Sequence, residues 1–328
     1  MTLARRLTTA ALACALATAV LGAPARAEEA VETTKIKPAA LERGADVGVP
    51  YVRRRTIVDG STRITLDAPF VRLIGKAGSD YVVHIANAHG DHSRVIRVAP
   101  DGETSNLLRK VDGFGIRLSS DGTRLAKASV EGSDRTVVKE WSAETGVFEV
   151  RRSFKGVVSI LDFAGSTLVL GGTAPARTFT FDVQSLATRK VMARQGYAAD
   201  VAGDRLATYT ADPYAGGCTV VTKLSRPRVE LWSSCRQRVD SFSPTGRRVA
   251  TVALLADGLG PNVVRVLASR GKTLARYSIA GWFGELRWET DTRLLLDANG
   301  SKQSAVVRCV RARCERATGL SPAPSPRR

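Results

Sequence analysis

The chain has 328 residues, 44% hydrophobic and 24% charged, enough to bury one large core or two ordinary ones. Its 49 Lys and Arg outweigh 31 Asp and Glu, for a formal charge of +18. That balance suits an anionic partner such as a cell-envelope polymer. Aromatic residues, at 6%, are too sparse and scattered to stack single-stranded nucleic acid, so nucleic acid is not the expected partner.

The first predicted element is a secretory signal peptide over residues 1–27. It has a basic start ("MTLARR"), an apolar run over residues 7–23, and a small-x-small site at Ala25-Arg26-Ala27. Cleavage before Glu28 is expected, and an uncleaved anchor is the competing reading. A lipoprotein reading through Cys14 is weaker, because Ala11 rather than a large aliphatic stands three residues before it. The segment holds Arg5, Arg6 and Arg26 and no acid, so the mature chain carries 18 less 3, or +15. No later run is apolar and long enough to span a membrane, and the expected location is secreted or envelope-associated. Residues 28–48 read as a polar linker. Residues 51–67 read as a hairpin around Asp59-Gly60 that either adds strands to the last blade or begins a seventh.

From there a turn followed by an aliphatic strand recurs: "GSDYVVHI", "SSDGTRLAKA", "FAGSTLVLGG", "VAGDRLATYT", "SPTGRRVATV" and "ETDTRLLLDA". Their first aliphatic residues, Val82, Leu125, Leu168, Leu206, Val249 and Leu294, lie 43, 43, 38, 43 and 45 apart. A second turn series follows half a repeat later at Gly102, Gly146, Thr188, Pro227, Gly271 and Arg313. The runs between are rich in Val, Ile, Thr, Phe and Tyr and have the length of strands. The period matches a four-stranded blade. A single blade cannot bury both its faces, whereas blades stacked in a ring bury them against each other. The expectation is an all-β propeller of four-stranded antiparallel blades over residues 49–318, six favoured and seven possible, with a disordered Pro/Ser-rich tail over 319–328. A monomer is expected.

"SSDGTRLA" and "SPTGRRVA" resemble the S-P-D-G-x-x-[LIV]-A hairpin of WD-repeat and TolB-like β-propellers, and "VVKEWSAETG" resembles the end of a WD-repeat third strand with its turn. The resemblance covers about residues 70–318 and implies the fold of a secreted bacterial propeller. The Gly-His and Trp-Asp dipeptides of strict WD repeats are missing here, so their hydrogen-bond tetrad is not implied.

Four cysteines remain after Cys14. Cys218 opens the third strand of the fourth repeat, and Cys235 closes its fourth. Cys309 and Cys314 flank a short turn. Antiparallel neighbours face each other, which predicts disulfides Cys218–Cys235 and Cys309–Cys314 in an oxidising compartment. Zinc is disfavoured because neither pair has C-x2-C spacing.

The histidines fall together in "HIANAHGDH". His89, Asp91 and His92 sit in the loop between the second and third strands of the first repeat, with His84 on the strand before it. They could ligate a divalent metal, or simply form a solvated hairpin tip. A site at the central channel would draw on first-strand residues Arg117, Asp162, Asp200, Asp240, Glu285 and Arg287, which could orient a polar ligand or a cation. Asp162 and Asp200 stand three before their turn glycines, whereas Asp240 and Glu285 stand six before their turn residues, so the four do not form one ring in register. No G-x-S-x-G, H-E-x-x-H, P-loop or G-x-G-x-x-G motif occurs. No catalytic residue is assigned and no cofactor is required. The expected function is an exported, non-enzymatic scaffold binding a protein or cell-envelope polymer through its loop faces. The alternative is a metal-assisted hydrolase or lyase at the channel.

Overall fold

The computed structural model describes residues 31–324 except 32, 112 and 114, so the signal-peptide segment and residues 325–328 lie outside the described residues. After β1 (Thr33–Ile36), strands β2 (Tyr51–Arg53), β3 (Thr56–Asp59) and β4 (Thr62–Thr65) form an N-terminal sheet in the order β2-β3-β4. Six four-stranded antiparallel blades follow. Blade 1 holds β5 (Phe70–Ala77), β6 (Asp80–Ala86), β7 (Arg94–Val98) and β8 (Thr104–Arg109). Blade 2 holds β9 (Ile116–Leu118), β10 (Arg124–Glu131), β11 (Arg135–Ser142) and β12 (Phe148–Lys155). Blade 3 holds β13 (Val158–Ala164), β14 (Thr167–Thr173), β15 (Ala176–Asp182) and β16 (Thr188–Met192). Blade 4 holds β17 (Gly196–Asp200), β18 (Arg205–Tyr209), β19 (Thr219–Thr222) and β20 (Glu230–Ser234). Blade 5 holds β21 (Gln237–Phe242), β22 (Arg248–Ala253), β23 (Val263–Ala268) and β24 (Thr273–Ile279). Blade 6 holds β25 (Trp282–Trp288), β26 (Leu294–Asn299), β27 (Gln303–Val310) and β28 (Arg313–Arg316), with β29 (Ser321–Pro322) pairing back on β27.

The first strands of neighbouring blades touch in succession, from β5 through β9, β13, β17 and β21 to β25, and β2 touches β5. They line the inside of the ring. The N-terminal sheet closes it. One face packs Ile57, Ile64 and Leu66 against Val71, Tyr81 and Ile96 of blade 1, and the other packs Tyr51 and Val58 against Leu295 of blade 6. The ring therefore has seven sheets, the larger of the two counts the repeat allowed. The hairpin at residues 51–67 makes its own sheet because both its faces find apolar partners.

The turn in "SSDGTRLA" builds itself. Ser119 Oγ donates to Asp121 Oδ1 (2.6 Å), Thr123 N–H donates to the same oxygen (3.1 Å), and Arg124 N–H donates back to Ser119 Oγ (2.9 Å). Gly122 has φ +73, and a Cβ there would lie 2.5 Å from the Lys76 carbonyl of blade 1, so the position needs glycine for both its conformation and its close approach. In "SPTG", Ser243 makes the same bond to the residue five further on, Arg248 (3.0 Å). These turns also join blades: Ser120 N–H donates to Phe163 O (2.9 Å).

Residues 33–48 differ from the linker reading. β1 pairs in parallel with β24, burying Ile36. Further on, Arg316 N–H donates to Glu42 O (2.8 Å) and Gly44 N–H to Arg316 O (2.9 Å). The outer strands β24 and β28 have unpaired edges, and the segment supplies the missing hydrogen-bond partners. Arg308, almost fully buried, fastens it by donating to Ala45 O (3.0 Å) and Asp46 O (2.7 Å) while paired with Glu289 (2.6 Å) and Glu315 (2.8 Å). At the other end, Ser321 and Pro322 pair with Ser304 and Gln303, so the start of the expected disordered tail is strand.

Candidate binding site at the channel mouth

Five first strands shift register at corresponding places: β5 between Leu73 and Gly75, β13 between Ile160 and Asp162, β17 between Gly196 and Ala198, β21 between Val239 and Ser241, and β25 between Phe283 and Leu286. A bulge re-aims the extra residue. In β21 that residue is Asp240, and in β25 the bulge holds Gly284 and Glu285, so two of the sequence candidates share one level of the inner wall. Asp240 is open to solvent yet enclosed by protein mass, and burial pushes its carboxyl up to about 6. Glu285 nearby raises it further, against the charge of Arg238. Glu285 pairs with Arg287 (3.2 Å), whose Nη1 donates to Pro50 O (3.4 Å) ahead of β2.

The other candidates are used differently. Asp162 accepts from Phe163 N–H (2.8 Å) and from Val201 N–H of the next blade (2.7 Å), joining blades 3 and 4. Asp200 accepts from Gly203 N–H in its turn (2.9 Å), and burial, then the neighbouring Asp162, raises its pKa. Arg117 is exposed on β9. The structure therefore brings Asp240, Glu285 and Arg287 together and separates Arg117, Asp162 and Asp200 from them.

His84 is buried, with Nε2 2.6 Å from Ser93 Oγ, and Phe70 lies edge-on to its ring. Ser93 Oγ donates to Val111 O (2.5 Å), so its free lone pair accepts the hydrogen bond from the imidazole Nε2–H. His89, Asp91 and His92 are exposed in the β6–β7 loop. Among the described residues no group of three His, Cys, Asp or Glu is placed to hold a metal ion.

Two charged residues complete the channel set. Arg238, two residues before Asp240, donates to Ala256 O of the β22–β23 loop (3.2 Å). Asp297 on β26 lies against the bulge: a Cβ on Gly284 would fall 2.3 Å from its carboxylate, and burial raises its pKa against Asn299 and Arg287. Arg238 could not have been found in sequence by alternation, because the bulge between Val239 and Ser241 interrupts it. Nor could Asp297, because only the bulge opposite it makes room.

One face of the ring carries the links from second to third strands, and those of blades 4 and 5 are long and well built. In the first, Asp212 caps a turn by accepting from Tyr214 N–H (2.9 Å), and Cys218 N–H donates to Thr210 Oγ1 (2.9 Å). The disulfide Cys218–Cys235 closes its base, and Cys309–Cys314 bridges β27 and β28, both as expected. In the second, Arg238 holds Ala256 and Phe283 N–H donates to Pro261 O (2.8 Å). These loops leave Tyr214, Leu255 and Leu259 at 72%, 48% and 55% exposure. Large apolar side chains are thus held in water beside a charged channel wall, an arrangement suited to a partner surface.

No family model matches the chain, and no curated protein does. Among solved structures it is similar to an acylaminoacyl peptidase from Pyrococcus horikoshii, at 12% identity over 84% of this chain and 52% of that one, TM-score 0.58. It is also similar to the β-propeller domain of the Trilobed protease from Pyrococcus furiosus, at 11% identity over 80% and 86%, TM-score 0.55. The chain is a β-propeller. The Pyrococcus furiosus propeller is described as having an open velcro topology. TolB from Acinetobacter baumannii is similar at 11% identity over 69% of this chain and 62% of that one, TM-score 0.45. Identities this low establish fold alone, and the chain spans about half the length of the peptidase.

Proposed function

We propose that the chain is an exported, non-enzymatic scaffold that binds a partner protein through the loop face of blades 4 and 5. The observation that carries this reading is the trio Tyr214, Leu255 and Leu259, exposed on loops that a disulfide and several hydrogen bonds hold in place. Rigid apolar anchors lose little entropy on binding, and residues of this kind dominate interface energetics. Arg238 and Asp240 beside them supply polar rim contacts. Two disulfides suit an oxidising compartment, and among the described residues no helix is long and apolar enough to cross a membrane.

The test is capture of a binder from envelope extract on the immobilised chain, then titration of the recovered protein. Changing Tyr214, Leu255 and Leu259 together to Ala should weaken binding by about tenfold or more with the melting temperature unchanged. Retention that survives the triple change but vanishes at about 1 M salt would refute the reading in favour of charge-driven binding.

A further inference from the structure

In blades 1 to 5 the fourth strand leads through a short link to the first strand of the next blade, as β12 ends at Lys155 and β13 begins at Val158. β4 leads into β5 in the same way, through residues 66–69. The N-terminal sheet therefore supplies second, third and fourth strands, with β2 innermost. Its β3–β4 turn confirms the polarity: Asp59 there meets Lys76 (3.0 Å) and Tyr81 (2.9 Å), beside the first turn of blade 1. Every other blade has a first strand inside its second. Among the described residues β2 pairs only with β3, and its inner edge faces the channel unpaired.

Beside that edge lies a hollow of about 390 Å³, walled by Tyr51, Arg53 and Arg54, by Glu285, Arg287 and Asp297 of blade 6, and by the chain's own C-terminal segment from Thr318 to Pro324. Its rim is basic. Arg53, Arg54 and Arg55 are exposed at the β2–β3 turn, whereas Glu285 already pairs with Arg287. We infer that this slot takes an extended, acidic peptide segment of a partner protein, which adds to β2 as the seventh blade's first strand. An edge strand presents unpaired N–H and C=O groups as a template, and main-chain pairing supplies affinity while side-chain pockets supply selectivity. The arginines select acidic side chains at the rim through charge-assisted, two-pronged bonds. The rim arginines lie on the same ring face as Tyr214 and Leu259, but at the seventh sheet rather than at blades 4 and 5, and the slot does not depend on those residues.

The test is selection of a random decapeptide display library on the full chain, followed by titration of the winners. The expected winners carry Asp or Glu, and N-methylation of their backbone abolishes binding at alternate positions and is tolerated between them, the period of two of an added strand. The changes Arg53→Glu and Arg54→Glu together should weaken them by about tenfold or more, and Tyr214→Ala should not. Failure to enrich acidic peptides, methylation effects without that period, or indifference to Arg53 and Arg54 would each overturn the slot. Self-association of the chain that Arg53→Glu abolishes would overturn the assignment to a partner by placing a second copy there. The methylation series uses the unaltered protein, so it stands even if a variant misfolds.

Discussion

Asp121 and Asp240 carry the same side chain into opposite surroundings. Asp121 accepts hydrogen bonds from Ser119, from the Thr123 amide and from the Thr123 hydroxyl, and the first of these leads in holding its carboxyl below the usual range. Asp240, on its bulge, is pushed up to about 6. The sign of the consequence follows from linkage. Between pH of about 4 and 6 the unfolded chain gives up the Asp240 proton while the folded chain keeps it, so stability falls as pH rises through that window and stays lowered above it. Asp240→Asn should therefore raise the melting temperature slightly at pH 8, since water reaches the side chain and screens its charge, and leave it nearly unchanged at about pH 3.5. Thermal unfolding of both proteins across that range decides, and an equal shift at both ends would mean that channel burial is not the cause. The role of Asp121 was legible in sequence, because every partner lies within five residues. The environment of Asp240 was not: its place near the channel could be guessed from the repeat, but the bulge that turns it inward and the Arg238 beside it belong to the folded ring.

At the level of elements, local pairing was legible and distant pairing was not. The disulfides follow from strand ends that an antiparallel hairpin sets face to face. The strand at residues 33–36 hides in "TTKI", with one buried residue and a parallel partner more than two hundred residues away. What holds the following residues is Arg308, with two carboxylates and two arm carbonyls around one guanidinium. Removing it strands Glu289, whose side chain is 5% exposed, as an uncompensated buried charge. Arg308→Ala should cost about 3–5 kcal/mol and free the arm. The checks are chemical denaturation and limited proteolysis, which should cut within residues 40–50 in the variant and spare them in the parent. A stability loss without new cleavage there would mean that the backbone bonds to Arg316 suffice to hold the arm.

For the whole molecule, the 43-residue rhythm shows that blades repeat and says nothing about how the last meets the first. Six blades could close on themselves if the hairpin at residues 51–67 added to blade 6. The structure instead interposes a sheet whose faces both carry core, between Tyr81 and Ile96 of blade 1 and Leu295 of blade 6. The two counts make different demands. In a six-bladed ring the N-terminal segment is dispensable. In a seven-sheet ring its loss leaves two apolar blade faces in water with a gap too wide to close, since packing in each blade is fixed by its neighbours. A chain beginning at residue 66 should therefore elute as aggregates and lose its single cooperative melt, while one lacking only residues 31–36 keeps both, because β1 adds to an outer edge without filling a gap. Light scattering after size exclusion distinguishes them. A monomeric, cooperatively melting chain without residues 31–65 would return the ring to six blades and leave the slot beside β2 with no wall to stand on.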